Sequence, residues 1–283
     1  MRFKYIIIFS TILSIVSCNE LILEPNPQKL VVEGWIEDDG FPVVILTKTL
    51  PVSNLEIPID SLGNYVARWA RVEVSDGNES VVLTGMQDLK SFSGYIYTTS
   101  ELRGKPGKTY TLTVDYGKEH ITAVTTIPEH RAYLDSILIE QAETEDSLYA
   151  LSVLVSRQEP NKYFKLFVAT YPNEGYYMSS LLGTFSSDDL PEEGPRRINV
   201  HRGMSDLDIY GSYSPFFKYR EIALLKISAM EHTGYDFWDA YDKNLSLTRN
   251  PFFPYDQSLP CNINGGLGYW IGYASTEYKA YVE

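Results

Sequence analysis

The chain has 283 residues, 44% of them hydrophobic, and a formal net charge of −13. That length permits one large domain or two of ordinary size, with a sizeable core. The acidic balance argues against nucleic acid, whose phosphates need lysine and arginine, and against charge-driven adhesion to anionic lipid.

In chain order, Met1-Arg2-Phe3-Lys4 is followed by the apolar run Tyr5 to Val16 and then by Ser17-Cys18. A basic start, an apolar core and a small residue before the break are the parts of an export signal. The run is about a dozen residues, short of the roughly 20 that a spanning helix needs. Residues 1–17 are therefore expected to be a signal peptide. A cysteine at the cut points to a bacterial lipoprotein, with Cys18 acylated and membrane-bound. Residues 18–28, with Pro25 and Pro27, read as a tether near the lipid. Cys261 is the only other cysteine. With Cys18 acylated no intramolecular disulfide can form, and Cys261 is expected to be a small buried residue.

The folded part begins with strand patterns at Leu30–Ile36, Pro42–Thr49 and Ala70–Ser75, with Asp38-Asp39-Gly40 as the first turn. Asp76-Gly77 marks a hairpin to Ser80–Thr84. Gly94–Thr99, Thr109–Tyr116 and His120–Thr126 continue the series, and Tyr110 to Tyr116 alternates at period two. Short strands at about ten-residue spacing imply an immunoglobulin- or fibronectin-like β-sandwich over 29–128. Residues 129–283 form a second β-rich domain, with strands at Leu134–Gln141, Tyr149–Ser156, Lys162–Tyr171 and Tyr269–Tyr281. Glu221–Met230 fits strand or helix, and Ser186–Pro195 an exposed loop. One short helix is expected near 234–246, with Thr233 as N-cap, Phe237, Tyr241 and Leu245 on one face, and a stop at Asn250-Pro251. The fold class is thus mainly β.

Few motifs carry chemistry. Gly265-Gly266-Leu267-Gly268 is followed by an aromatic, β-prone run, so it reads as a turn or bulge and not as a phosphate loop. Asp206-Leu207-Asp208-Ile209-Tyr210-Gly211 starts like a calcium loop but has Tyr210 and Phe217 where oxygen ligands belong. His120, His130, His201 and His232 are scattered, and no nucleophile elbow is present. No catalytic residue, metal or cofactor is expected. The candidate binding residues are loop aromatics: Tyr176 and Tyr177 in one loop, Tyr213, Phe216, Phe217 and Tyr219 in another. Exposed rings suit interfaces and sugar stacking, although such rings also pack under their own loops.

The export signal, the strand Leu30-Val31-Val32-Glu33-Gly34-Trp35-Ile36 and a tail of distinctive order coincide. The tail has the helix around Tyr235 to Tyr241, then Asn250-Pro251-Phe252, then Cys261-Asn262-Ile263-Asn264-Gly265-Gly266-Leu267-Gly268-Tyr269-Trp270-Ile271-Gly272-Tyr273. This resembles the Bacteroidetes lipoproteins classified as domain of unknown function 4249, over nearly the whole mature chain. The resemblance implies an outer-membrane site beside a TonB-dependent barrel and no established enzyme activity. The expected function is a non-enzymatic accessory or ligand-capture lipoprotein of such a transporter, on the periplasmic or the cell-surface side. The alternatives are a stand-alone surface binder of glycan or protein and, last, a hydrolase with dispersed carboxylates. Expected partners are the membrane, through the acyl chains, and the barrel, but no nucleic acid.

Overall fold

The structure is a computed structural model that describes residues 28–50, 63–91, 93–143, 147–158, 162–171, 177–203, 214–247 and 258–283. One compact unit comprises Lys29–Thr49 and Ile57–Glu283. Of the other unit, Met1–Gln28 and Leu50–Glu56, only Gln28 and Leu50 are described, both exposed. Cys18, the expected signal peptide and nearly all of the expected tether lie outside the described residues.

Among the described residues the molecule is mainly β, with one α-helix. The first half contains β1 (Leu30–Glu37), β2 (Val43–Lys48), β3 (Arg71–Ser75), β4 (Ser80–Val82), β5 (Thr84–Gln87), β6 (Tyr95–Thr98), β7 (Thr109–Tyr116) and β8 (Glu119–Thr126). The second contains β9 (Ser136–Gln141), β10 (Leu148–Val155), β11 (Tyr163–Tyr171), β12 (Met178–Ser186), β13 (Arg196–Val200), β14 (Phe217–Lys218), β15 (Ile222–Met230), helix α1 (His232–Leu247), β16 (Ile263–Asn264) and β17 (Leu267–Tyr281).

An eight-stranded sheet of order β12-β11-β15-β17-β1-β2-β6-β5 forms the middle layer. Strands from before and after Pro128 share it, because β17 pairs parallel with β1 and antiparallel with β15. Two smaller sheets, β16-β8-β7-β3-β4 and β13-β10-β14 with β9, cover one of its faces. Period-two alternation makes this possible. Leu30, Val32 and Ile36 of β1 pack with Val72, Leu112, Val114 and Ile121, while Phe164, Leu166, Leu225 and Ile227 share the same core with Leu151, Val153 and Ile198. The other face carries Trp35, Phe167, Met230, Tyr269, Ile271 and Tyr273, and α1 packs on it through Phe237 and Trp238.

The glycine-rich tail is the device that changes sheets. Asn264 pairs with Thr122 in the small sheet, and four residues later Gly268 pairs with Val32 in the large one. At Gly268 φ is +106°, and a Cβ there would lie 1.8 Å from the Val32 carbonyl oxygen, so only glycine fits. Asn262 uses its side chain as a strand partner. Its Oδ1 accepts from Trp270 N at 2.9 Å and its Nδ2 donates to Trp270 O at 2.7 Å. The Trp270 ring is fully buried, and its Nε1 donates to Tyr110 O at 3.1 Å.

Several expectations are corrected. Glu221–Met230, which fitted strand or helix, is strand from Ile222 onward. The helix starts at His232, so Thr233 lies in its first turn and is no cap; the Glu231 carbonyl accepts from Gly234 and Tyr235 N, both at 3.1 Å. Strands β12 and β13 had no counterpart in the sequence reading. In β12 a bulge at Leu182, with φ +58°, breaks the alternation that would have marked it. Of Ser186–Pro195, expected to be an exposed loop, Ser186 ends β12 and Ser187–Asp189 form a single 3-10 turn; only the rest is loop. Ser187 and Leu190 are buried, and Asp189 Oδ2 accepts from Ser186 N and Oγ at 2.7 and 2.9 Å. Cys261 is exposed instead of buried, because the loop carrying it precedes the small-sheet edge and turns only Ile263 inward.

Candidate functional site

Among the described residues the buried charges are Asp38, Lys165, Lys226 and Asp242. The last three lie on the α1 side of the large sheet, Lys165 and Asp242 as a pair and Lys226 apart from them. Lysines in the middle of apolar strands must point somewhere, and alternation with Phe164 and Leu166, and with Leu225 and Ile227, sends Lys165 and Lys226 to this face.

Lys165 is enclosed between the sheet and α1. Its Nζ donates to Asp242 Oδ2 at 2.8 Å, to Thr184 Oγ1 at 3.0 Å and to Ser180 O at 3.1 Å. Thr184 Oγ1 in turn donates to Asp242 Oδ2 at 2.7 Å. The ammonium sits 5.1 Å from the Trp238 ring centre. Burial pushes the Lys165 amine down to about 8, against the pull of the Asp242 carboxylate. His201 is likewise held below the usual imidazole range by burial, which the charge of Asp242 opposes.

Lys226 occupies an aromatic slot. Its Nζ lies 4.4 Å from the Tyr177 ring centre and 5.4 Å from that of Phe167, and it donates to Glu37 Oε1 at 2.5 Å. The Tyr177 hydroxyl is pushed well above the usual phenol range by burial, then by Glu277 and Glu37. Next to this slot Tyr269 donates to Glu33 Oε1 at 2.9 Å, and Trp238 Nε1 donates to Tyr273 OH at 2.8 Å. Protein surrounds the Glu33 carboxyl on its inner sides and raises it, while its outer side stays open to solvent. The result is a wall of rings. Tyr269, Tyr273, Phe237 and Trp238 are buried, and Trp35, Tyr163, Tyr177, Tyr235 and Tyr241 stand half-buried around them. Each of these buried lysines is matched by a carboxylate, so the face offers ring surface for contact more than a free nucleophile or base.

At the start of α1 a groove of ≈ 380 Å³ is lined by Thr126, Glu129, Lys162, Tyr163, Glu231 and His232, among others. Glu231 Oε2 already accepts from Thr126 N at 2.7 Å. His232 packs edge-on to Tyr163 at 4.9 Å and pairs with Asp236 at 3.1 Å. Among the described residues no three His, Cys, Asp or Glu side chains cluster as a metal site, and no helix is long and apolar enough to cross a membrane.

Of the residues singled out from the sequence, Tyr177 belongs to the ring wall. Phe217 is fully buried in the main core, so it packs and is not available for contact. Phe216 is half-buried. Tyr219 is exposed and stacks on Tyr149 with ring centres 6.1 Å apart, away from the α1 face. Tyr176, Tyr213 and the Asp206–Gly211 segment lie outside the described residues. Sequence reading passed over Lys165, Lys226 and Asp242. The available signal was a lone lysine inside Tyr163–Tyr171 and another inside Ile222–Met230, both otherwise apolar.

No curated protein matches the chain. The family described as Domain of unknown function (DUF4249) matches residues 19–279, nearly the whole chain, and the chain belongs to that family.

Proposed function

We propose that this chain is a lipid-anchored outer-membrane protein without enzymatic activity, an accessory or ligand-capture subunit of a TonB-dependent transporter. The observation that carries capture is the ring wall, where Trp35, Tyr163, Tyr177, Tyr235 and Tyr241 keep part of their surface open beside charges that are already paired. Such rings give contact area at little entropic cost. The anchor rests on Cys18 at the end of the short apolar run, and the transporter neighbourhood rests on the family resemblance. Mild detergent extraction of native membranes tests the reading: the chain co-purifies with an outer-membrane barrel, and Cys18→Ala releases it from the membrane with the fold intact. Isolation without a barrel, from cells that express the transporter, refutes the accessory role. Binding to a glycan array under those conditions, lost in Tyr177→Ala, favours the stand-alone binder instead.

A further inference from the structure

One rim of the sandwich combines features that the α1 face does not explain. Residue pairing defines it. Leu30, at the start of β1, pairs with Lys48. Val44 pairs with Tyr97 and Tyr95 with Gln87, which puts the turn Asp88–Gly94 at that same end. In the small sheet Ile121 lies level with Leu30, since both its Cδ1 and the Leu30 carbonyl crowd the Cβ position of Gly266. Ile121 pairs with Val114 and Val114 with Val72, so Arg71 and the residues before it lie on the rim as well.

Two large apolar side chains project from this rim. Leu89 is 96% exposed at the tip of the β5–β6 turn, and Trp69 is 89% exposed. Trp69 also has φ +68°, a left-handed conformation that an indole adopts only under constraint. The constraint is visible. The buried Tyr97 hydroxyl donates to Ala67 O at 2.8 Å and accepts from Ala70 N at 3.0 Å, bracketing Arg68 and Trp69. A fixed turn thus holds the indole in solvent.

Cations share the rim: Lys29, Arg68, Lys90 and Lys118 are all exposed there. The acids Asp88, Asp115 and Glu119 bring the rim near neutrality, in a chain whose formal charge is −13. Finally, the chain enters the sandwich at Lys29 on this rim. The eleven residues 18–28 span at most roughly 40 Å when extended, so an acyl anchor on Cys18 would hold this rim close to the lipid.

We propose that the rim rests on a phospholipid bilayer, with Trp69 and Leu89 in the headgroup layer and the flanking lysines and arginines on lipid phosphates. Tryptophan and long cationic side chains suit that layer, where one end of the group is apolar and the other wet. The inference rests on the lipid anchor proposed above, and it adds an orientation: the sandwich stands on the bilayer by this end.

The test uses the acylated full chain in vesicles of phosphatidylethanolamine and phosphatidylglycerol carrying brominated acyl chains. Flotation of wild type but not of Cys18→Ala reports the anchor alone. Bromine quenching of tryptophan emission reports the rim. Trp270 and Trp238 are buried and Trp35 is half-buried, so Trp69 dominates what lipid can reach. Quenching should fall at least twofold in Trp69→Phe, a surface change that leaves the fold alone. Equal quenching in both proteins, or an indole still open to aqueous iodide on floated vesicles, overturns the inference while the anchor stands. Shielding from iodide without bromine quenching assigns the rim to another protein or to residues 51–62 and also overturns it. If wild type does not float, the anchor fails. Cys18→Ala mixed with excess vesicles then decides: a Trp69-dependent blue shift supports the rim, and none refutes it.

Discussion

Replacing Asp242 by leucine removes the carboxylate that keeps Lys165 charged under α1. In the native protein the Lys165 amine stands at about 8, against roughly 10.4 for a lysine in the unfolded chain. Below pH 8 both states hold the proton, and this group adds no pH dependence. Between about pH 8 and 10.4 the unfolded chain binds the proton and the folded one does not, so stability rises with pH at about 1.4 kcal/mol per unit. Asp242 is the group that holds the amine up against burial, so Asp242→Leu drives it further down. In the variant the rising limb then extends below pH 8. The deficit of Asp242→Leu relative to wild type should be constant above pH 8 and grow below it, by up to about 1.4 kcal/mol for each unit. Urea unfolding at pH 6, 7, 8 and 9, followed by tryptophan emission, measures it. The double variant Lys165→Met/Asp242→Leu removes the titrating group. It should abolish the pH term and sit near wild type at pH 8, as apolar replacements of buried ion pairs often do. A deficit for Asp242→Leu that is flat from pH 6 to 8 would refute a charged, enclosed Lys165.

Other outcomes follow from single positions. Gly268→Ala combines a forbidden φ with a Cβ 1.8 Å from the Val32 carbonyl, and should cost at least ~3 kcal/mol or abolish folding, as thermal unfolding of the purified variant would show. Trp69→Gly relieves a left-handed residue and should raise stability by about 1 kcal/mol while removing the lipid-dependent quenching; a destabilised variant would mean that the indole packs on something. Burial holds the hydroxyls of Tyr269 and Tyr273 well above the ordinary phenol range. Their contribution is complete below about pH 10 and is lost as alkali ionises them in the unfolded chain first, so absorbance at tyrosinate wavelengths should show a late fraction that rises together with unfolding.

Much of the fold was legible because it depends on local pattern. The alternation in Tyr110 to Tyr116 and the Gly117-Lys118 turn gave β7 and β8 nearly residue for residue. Where local pattern is broken, legibility fails. The bulge at Leu182 hid β12, and an apolar run around Lys226 fitted strand or helix until its neighbours on both sides were known. The candidate site was harder still. Tyr177 stood out as a loop aromatic, but its partners Lys226, Phe167 and Glu37 come from three strands far apart in the chain. Phe217 had the same composition signal as Tyr177 and is core, because a ring in a loop looks alike whether it faces in or out.

The amino-acid sequence by itself determined the class of the molecule, most strands of the first half, the helix that follows Met230 and the family, since these follow from periodicity, turn chemistry and a tail motif of fixed order. It also pointed to a turn or bulge at Gly265 to Gly268, because an aromatic β run follows them, and the positive φ of Gly265 and Gly268 agrees. Only the tertiary structure decided that β17 runs parallel to β1, more than two hundred residues earlier, which places both halves in one sheet. The same pairing aligns Tyr269 with Glu33, and α1 then closes over that face. Long-range pairing depends on which backbones approach each other, and no local pattern encodes that. The exposure of Trp69 is of the same kind: no local pattern marks that indole as exposed, and the Tyr97 hydroxyl, from a strand nearly thirty residues later, brackets the turn that holds it in solvent.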